Sequence, residues 1–404
     1  MLRSASSAMG RVDPRGFACP INLGGVALPL SDQLIVIAPD GAVVALDAGG
    51  RCLWEALQVG STVDDLVDAC VRHGGVSEDA ARAGIAEALE SWRGLGLVDA
   101  PPADTAPQAS TTSLISRLPG RTLQLDQVYQ PGDRPVRVRC DDRVLAEVLE
   151  AACRSCRVED GERALTTVDV IEQDGWFAVQ ADAAVLARTT DLTQNRALAR
   201  HRCLTALLEA ARPSRRWLGI LHASVVSVEC RSVVLCGAKG SGKSTLAAAL
   251  VAAGADFVTD DYAPLEQASW CVWPVPFAPG IKRGSWRPLA RRYSDLRAQP
   301  VHRLAGAHIR YLELDAGRMA PLTRGLPVTA LIFPRYEAGA GLEQREMTAA
   351  DAVVQLCHAR SMLDRHPDRL AETLRWAESV PAYQLVYGDL DRAIESVLTM
   401  LSKK

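Results

Sequence analysis

The sequence predicts a mixed α/β protein in two parts: an α+β unit with a winged-helix-like pattern, and a longer α/β unit behind it. The first part is indicated by a strand hairpin and three helical patterns within residues 33–97. A Pro/Ala/Thr/Ser-rich stretch without apolar periodicity, 99–113, indicates a linker. Beyond residue 217, apolar strand patterns alternate with helical patterns, which is typical of an α/β sheet.

The first unit is expected to span 20–98 and begins with two apolar runs joined by the turn dipeptide Asp40-Gly41. This pattern predicts a β-hairpin. Three helical patterns follow, at 49–58, at Thr62, and at Ser77, where the threonine and the serine are suitable N-caps. Two strands and three short helices resemble a winged-helix unit.

After the linker, residues 114–215 are predicted to form a small α/β region, and residues 216–404 the main α/β unit. The small region contains a predicted strand pair within 176–192 and an amphipathic helix over 198–212. The main unit contains predicted strands at 219–230, 232–236, 255–262 and 328–336, and helices at 243–254, 348–363 and 391–404.

Composition limits the class of protein. The chain has 404 residues, of which 48% are hydrophobic and 23% charged, as in an ordinary globular protein of two or three domains. No apolar run approaches the roughly 18 residues of a membrane span, and the start lacks a signal peptide's apolar core. We therefore expect a cytoplasmic protein with no membrane partner. The eleven cysteines then predict reduced thiols, and Cys153 and Cys156 lack the second pair of a zinc site.

A glycine-rich motif lies between a predicted strand and a predicted helix. It fits G-x-x-x-x-G-K-[ST], a pattern whose backbone N–H groups face phosphates at a helix N-terminus. Lys243 can then reach the β- and γ-phosphates of a nucleotide, and Ser244 can ligate Mg²⁺. The motif predicts ATP and Mg²⁺ as cofactors. The residues expected to bind ATP are Gly237, Ala238, Lys239, Gly240, Ser241, Gly242, Lys243, Ser244 and Thr245.

Two adjacent acids, Asp260 and Asp261, end the next predicted strand. A right-handed crossover would lay this strand parallel to the strand before the loop, so that the acids emerge beside the loop. One carboxylate there can hold Mg²⁺ while the other takes a proton from an attacking hydroxyl. The alternative is a solvated strand end or a cap.

Residues 221–266 resemble the HPr kinase/phosphorylase family. Three features occur in the family's order: His222 at the start of a strand pair, the glycine loop and the acid pair. The resemblance implies that Asp260 is the general base, that Asp261 and Ser244 contact Mg²⁺, and that His222 acts near the site. A histidine that is merely packed at a strand start is the alternative.

Looser resemblance to the HPr-kinase-related branch continues through 274–286, 331–340 and the C-terminal helix, over roughly 170 residues in all. The chain departs from HPr kinase proper at two points. Ala223 follows the histidine where the family usually has glycine, and an E-I-R-G-L-G-like signature is absent. These departures argue against a phosphorylase reaction and against HPr as the substrate.

Residues 282–303 carry seven basic side chains and a single acid, in a chain whose net charge is −3. Lys282 and Arg283, beside Gly280 and Gly284, are expected to close a mobile loop over a transferring phosphoryl group. The remaining arginines are expected to be solvated or to bind an acidic substrate. Arg335 is a weaker candidate for phosphate contact.

The charge of the first unit argues against a nucleic-acid partner. Residues 31–100 contain four arginines, no lysine and twelve acids, and would repel a phosphate backbone. The stretches 35–70 and 88–98 resemble the PqqD-like recognition domain of pathways that modify ribosomally made peptides. That resemblance implies capture of a leader peptide as an added strand. A small regulatory or dimerising winged helix is the alternative.

Together, the two resemblances imply an ATP-dependent kinase that phosphorylates a Ser/Thr hydroxyl of a precursor peptide, similar to the tailoring kinases of lasso-peptide clusters. Two other interpretations remain: a small-molecule kinase with a regulatory N-terminal unit, and a non-enzymatic ATP-gated switch. The peptide's identity, a homo-oligomeric state and residual phosphorylase activity are left open by the sequence.

Overall fold

The structure is a computed structural model. It describes residues 26–30, 33–37, 43–58, 61–94, 97–98, 121–158, 164, 166–173, 175–181, 184–188, 192–359, 361–363 and 367–402. The chain divides into two compact units, with the boundary between Ala109 and Ser110. The predicted linker, 99–113, and the Asp40-Gly41 turn lie outside the described residues.

The first unit is a three-stranded antiparallel sheet followed by three helices. Its elements are β1 (Val26–Leu30), β2 (Gln33–Ile37), β3 (Val43–Leu46), α1 (Ala48–Gln58), α2 (Val63–Gly74) and α3 (Glu78–Gly94). The predicted hairpin is confirmed, since Leu34 pairs with Leu46 across β2 and β3. Strand β1, which the sequence analysis did not identify, pairs with β2. The core includes Trp54 and Trp92, whose rings meet edge to face at 5.5 Å.

The predicted helix starts in this unit are confirmed. The Thr62 hydroxyl accepts a hydrogen bond from the Asp65 backbone N–H at 3.2 Å, and the Asp65 carboxylate accepts one from the Thr62 N–H at 2.8 Å. This reciprocal pair is a capping box, which satisfies two backbone donors that a helix start leaves free. Ser77 caps α3 by accepting from the Ala80 N–H at 3.3 Å.

The second unit begins with a five-stranded sheet and two helices. These elements are β4 (Leu125–Tyr129), β5 (Val136–Cys140), α4 (Arg143–Cys153), β6 (Thr166–Gln173), β7 (Trp176–Ala181), β8 (Ala184–Arg188) and α5 (Leu192–Ala211). The predicted strand pair over 176–192 is confirmed as β7 and β8. The apolar faces of α4 and α5 share one buried cluster with Tyr262 and Tyr311 further along the chain. Cys153 and Cys156 are buried free thiols in this region.

The remaining elements form the main sheet and its surroundings. They are β9 (Trp217–Leu221), β10 (Ala223–Val228), β11 (Arg231–Cys236), α6 (Lys243–Ala252), β12 (Asp256–Thr259), β13 (Ala263–Glu266), β14 (Cys271–Val272), β15 (Gly280–Lys282), α7 (Arg283–Leu289), β16 (His302–Leu304), β17 (Ala307–Tyr311), β18 (Leu326–Tyr336), β19 (Glu343–Met347), α8 (Ala349–His358), β20 (Met362–Leu363), α9 (Pro367–Ser379), β21 (Ala382–Tyr387) and α10 (Leu390–Ser402).

Strands β11, β18 and β21 run parallel and side by side in this sheet. On the other side of β11, β10 pairs antiparallel with it, and β12 pairs antiparallel with β10. Strand β12 therefore has the direction of β11 but lies one strand away from it. The acid pair and the glycine loop consequently emerge at the same edge of the sheet, because strands of equal direction end at the same edge.

Two sequence predictions need correction here. The predicted strand 219–230 is two strands, because the chain bends at His222: β9 pairs with β13 and β20, whereas β10 pairs with β11 and β12. The predicted helix 348–363 is capped by Thr348 as expected but ends at His358, and Met362–Leu363 forms the short strand β20. Among the helices that the structure describes, none is both long and apolar enough to cross a membrane.

Candidate functional site

The glycine loop, Gly237–Gly242, joins the end of β11 to the start of α6. Gly237, Gly240 and Gly242 have positive φ angles of 151°, 93° and 100°. A Cβ at position 242 would stand 2.7 Å from the hydroxyl of Tyr387, so both the backbone and the available space require glycine there. The turn therefore ends at the N-terminus of α6, which is a suitable position for an anion.

Lys243, the first residue of α6, folds back over the loop. Its ammonium donates to the carbonyl oxygen of Gly237 at 2.6 Å, and only 7% of the residue is exposed. Burial lowers the pKa of Lys243, while the nearby carboxylates of Asp261 and Asp260 oppose that shift. Next to it, the buried Ser241 hydroxyl has no hydrogen-bond partner among the residues that the structure describes. The site thus offers polar groups that a phosphate could engage.

The carboxylate of Asp260 is buried beneath α6. Its Oδ1 accepts hydrogen bonds from the hydroxyl of Ser224 at 2.5 Å and of Ser244 at 3.0 Å. Burial and the neighbouring Asp261 carboxylate raise the pKa of Asp260 to about 6, although both hydroxyls and Lys243 oppose the shift. A hydroxyl and a carboxylate that share one corner of a glycine loop are hard oxygen donors of the kind that Mg²⁺ takes.

The carboxylate of Asp261 has different partners from that of Asp260. Its Oδ1 lies 3.1 Å from Nε2 of His222, its Oδ2 lies 3.5 Å from the guanidinium of Arg200, and its side chain is 35% exposed. The pKa of Asp261 is held well below its usual range, because the hydrogen bond and charge of His222 and the charges of Arg200 and Lys282 outweigh burial. Its backbone is left-handed, with φ of 67°, a conformation uncommon outside glycine. The turn aims the two neighbouring acids at different partners.

His222 is positioned by the bend between β9 and β10. Its backbone N–H donates to the Ser361 hydroxyl at 3.1 Å, and its side chain is 38% exposed. The contact with Asp261 puts this histidine among the groups at the loop edge rather than in the apolar core. The structure therefore brings together five of the predicted residues: His222, Lys243, Ser244, Asp260 and Asp261.

The basic segment approaches the same region through α7. The hydroxyls of Ser285, in the first turn of α7, and Thr245, in α6, lie 2.5 Å apart. Lys282 and Arg283 are exposed at the end of β15 and the start of α7, so they belong to a strand and a helix rather than to the mobile loop that the sequence predicted. Lys282 is close enough to influence both Lys243 and Asp261 electrostatically. Arg335 is exposed and pairs with Glu337 at 2.5 Å.

Sequence reasoning missed two residues of the site. Ser224 lies two residues after His222 on β10 and bonds to Asp260; the paired β10–β12 register would have indicated it. Arg200 comes from α5, outside the stretch that carries the family resemblance, and no local pattern marks it. Its guanidinium Nε is buried and has no partner among the described residues.

The side chains that could bind a metal ion at the glycine loop are too few to form a complete metal site without other ligands. Within the described ranges, no group of three or more His, Cys, Asp or Glu side chains could hold a metal ion. The oxygens of Ser244 and Asp260 nevertheless fit Mg²⁺ in the form in which it accompanies nucleotides, held by one or two protein groups together with phosphate oxygens and water.

Comparison with known proteins identifies the first unit. Residues 33–98 match the family described as Coenzyme PQQ synthesis protein D (PqqD). The match covers β2, β3 and the three helices that follow them, so the chain carries an N-terminal PqqD-type domain. No curated protein matches the chain.

Proposed function

We propose that this chain is an ATP-dependent phosphotransferase that phosphorylates a Ser or Thr hydroxyl of a ribosomally synthesised precursor peptide in the cytoplasm. The observation that supports the proposal most directly is the contact between Ser244 and Asp260 beside the buried Lys243. This contact sets a carboxylate against the hydroxyl that follows the lysine of a phosphate-binding motif.

The glycine loop and Lys243 bind the phosphates in this proposal. Loop N–H groups face the anion, and the Lys243 ammonium exchanges the Gly237 carbonyl for phosphate oxygens. Ser244 and Asp260 would hold Mg²⁺, which supplies neutralisation of charge on the phosphate oxygens when it is bound. Lys282 and Arg283, exposed near the start of α7, are suited to stabilise charge on the transferred group.

The geometry favours a division of labour between the acids opposite to the one that the family resemblance implies. Asp260 is 4% exposed and accepts hydrogen bonds from Ser224 and Ser244, whereas the side chain of Asp261 is 35% exposed. In the proposed step Asp261 orients the substrate hydroxyl, whose oxygen forms the new P–O bond while ADP leaves with the electrons of the broken P–O bond. Because its lowered pKa makes Asp261 a weak base, the hydroxyl proton passes to it late, when bonding to phosphorus has made that proton strongly acidic. His222 and Arg200 hold the Asp261 carboxylate in place.

The PqqD-type domain supports a peptide as the substrate. In this proposal the domain captures the leader of a precursor peptide by adding it as a strand to a sheet edge, a general mode of peptide recognition. The three-stranded sheet of this unit has β1 and β3 at its edges. Binding the leader there would raise the concentration of the attached hydroxyl near the kinase site, as tethering does in general.

Incubation of the full-length protein with γ-labelled ATP, Mg²⁺ and candidate precursor peptides tests the proposal. Label on a Ser or Thr of a leader-bearing peptide supports it. Label on a metabolite instead would indicate a small-molecule kinase, and ATP binding without transfer to any acceptor would indicate a nucleotide-gated switch. The Lys243→Ala variant serves as the matched negative control for labelling.

A further inference from the structure

Tyr336 is the most exposed large apolar residue among those that the structure describes, and the only aromatic one in that group. It ends β18, directly beside the glycine loop, and 55% of it is exposed. A solvent-exposed aromatic ring beside a cluster of polar groups is a stronger indication of ligand binding than a single exposed aliphatic side chain. The position of this ring suggests a ligand that stacks on it.

The backbone of Tyr336 is tied to the glycine loop. The N–H of Tyr336 donates to the carbonyl oxygen of Ser241 at 3.3 Å. A Cβ built on Gly242 would lie 3.7 Å from the Cβ of Tyr336. Any ligand held by the loop N–H groups is therefore within a few ångströms of the start of this side chain.

The ring of Tyr336 has firm support on one side. It meets the buried ring of Tyr387, its register partner on β21, at a centroid distance of 5.8 Å and an angle of 65°. Behind it, Gly388 approaches the carbonyls of Glu337 and Ala340 so closely that a Cβ would stand 2.7 Å from each. The edge contact does not cover the ring by stacking, so the platform is held in place and open.

The order of strands decides which end of a nucleotide Tyr336 would meet. Strands β10 and β12, with the acid pair, lie on one side of β11, whereas β18 and β21 lie on the other. A triphosphate whose terminal phosphate faces Ser244, Asp260 and Asp261 extends in the opposite direction, towards the ends of β18 and β21. That is the side of β11 on which β18 ends at the exposed Tyr336.

We infer that Tyr336 is the stacking platform for the base of a nucleoside triphosphate and thus a specificity-determining residue of the site. The inference rests on the proposed nucleotide-binding function of the glycine loop. Aromatic stacking is open to any base, since every base has a π-face. The platform selects for nucleotides over inorganic polyphosphates.

Calorimetric titration of the full-length protein with ATP and with inorganic tripolyphosphate, both in the presence of Mg²⁺, tests this role. Alanine substitution of a stacking aromatic typically costs about 5- to 150-fold in affinity, and we expect a loss in that range for ATP with Tyr336→Ala. Tripolyphosphate, which has no base, should bind this variant as it binds the wild type. Tyr336→Phe keeps the ring and should retain ATP affinity.

Leu342→Ala is the matched control, because Leu342 is the nearest other exposed large apolar residue along the chain. It should leave both affinities unchanged. Unaltered ATP affinity of Tyr336→Ala, with normal tripolyphosphate binding, would overturn the stacking role and leave the nucleotide site standing. Equal losses for both ligands would assign Tyr336 to loop structure instead. A wild-type protein that binds neither ligand would overturn the proposed function and this inference together.

Discussion

The hydroxyl of Ser244 and the carboxylate of Asp260 form a 3.0 Å hydrogen bond that joins the first turn of α6 to the end of β12. The same carboxylate oxygen accepts from Ser224 on the intervening strand, β10. Three elements of the sheet edge are thus fixed around one buried anion. Asp261, the next residue, turns away to His222 and Arg200.

This separation predicts different kinetic behaviour for the two acid variants. Asp261→Asn should lower kcat by about 10²–10⁴-fold, the usual contribution of a proton acceptor, without changing the Mg²⁺ requirement. Asp260→Asn should shift the Mg²⁺ requirement upward and regain activity in excess Mg²⁺. The measurement is kcat against Mg²⁺ concentration for both variants. Mg²⁺ rescue of Asp261→Asn, and not of Asp260→Asn, would restore the assignment implied by the family resemblance.

The raised pKa of Asp260 predicts a gain in stability when its charge is removed. Because its pKa rises from 3.8 to about 6, folding favours the protonated form, and ionisation at higher pH destabilises the wild type. Asp260→Asn should therefore raise the free energy of unfolding near pH 8 by about 1–3 kcal/mol. The gain should shrink as the pH falls through 6 towards 4.

Urea denaturation of wild type and variant at pH 8 and pH 5 measures this effect. Asp261→Asn is the comparison, since the pKa of Asp261 is lowered and its ionised form stabilises the fold. A stability gain for Asp260→Asn that stayed the same at both pH values would contradict the electrostatic explanation.

Lys243→Ala should abolish most phosphoryl transfer and weaken ATP binding. Loss of one preorganised charge-stabilising donor typically costs about 10²–10³-fold in rate. Among the described residues, its ammonium donates to the backbone carbonyls of Gly237 and Ala238 and to no side chain, so the fold should survive the change. ATP titration and single-turnover labelling check these effects. Lys239→Ala removes an exposed lysine of the same loop and should have a much smaller effect; equal effects would reject the role of Lys243.

Leader recognition predicts a KM difference between peptides. The full-length protein should have a much lower KM for a leader-bearing peptide than for the same acceptor sequence without its leader, because the PqqD-type domain holds the leader. Truncation at the unit boundary, leaving 110–404, should remove this difference while ATP binding persists. Steady-state kinetics with both peptides measure it. Equal KM values in the full-length protein would reject leader capture, and tight DNA binding by the first unit would favour the nucleic-acid alternative.

Local signals in the sequence were sufficient for much of the first unit. The starts of α2 and α3 follow from Thr62 and Ser77, because N-capping is decided by the side chain and the backbone of the same turn. The hairpin likewise follows from two apolar runs around a turn dipeptide. In the second unit, Glu229 and Cys230, which lie within the strand predicted over 219–230, form the tight turn between β10 and β11, and both have positive φ angles.

Tertiary pairing decided what the sequence could not. The apolar residues on both sides of His222 have strand-like patterns, so the sequence alone does not show the bend. The bend becomes visible only from the pairing: β9 pairs with β13 and β20, whereas β10 pairs with β11 and β12. Arg200 lies in a helical pattern that gives no sign that its guanidinium reaches Asp261. Residues that enter a site from a distant element leave no local signature.

The contact between Arg200 of α5 and Asp261 limits where a fusion junction can be placed in this chain. Helix α5 shares a hydrophobic cluster with Tyr262 and Tyr311, so the segment before residue 215 is an inseparable part of the second unit. A graft that exchanges residues 1–109 for another peptide-binding module keeps Arg200, Asp261 and their supporting core intact. A fusion made at residue 215 would remove Arg200 and the residues of α5 that belong to the hydrophobic cluster. If the proposed function holds, the junction between Ala109 and Ser110 is therefore the place to exchange the first unit when new peptides are wanted.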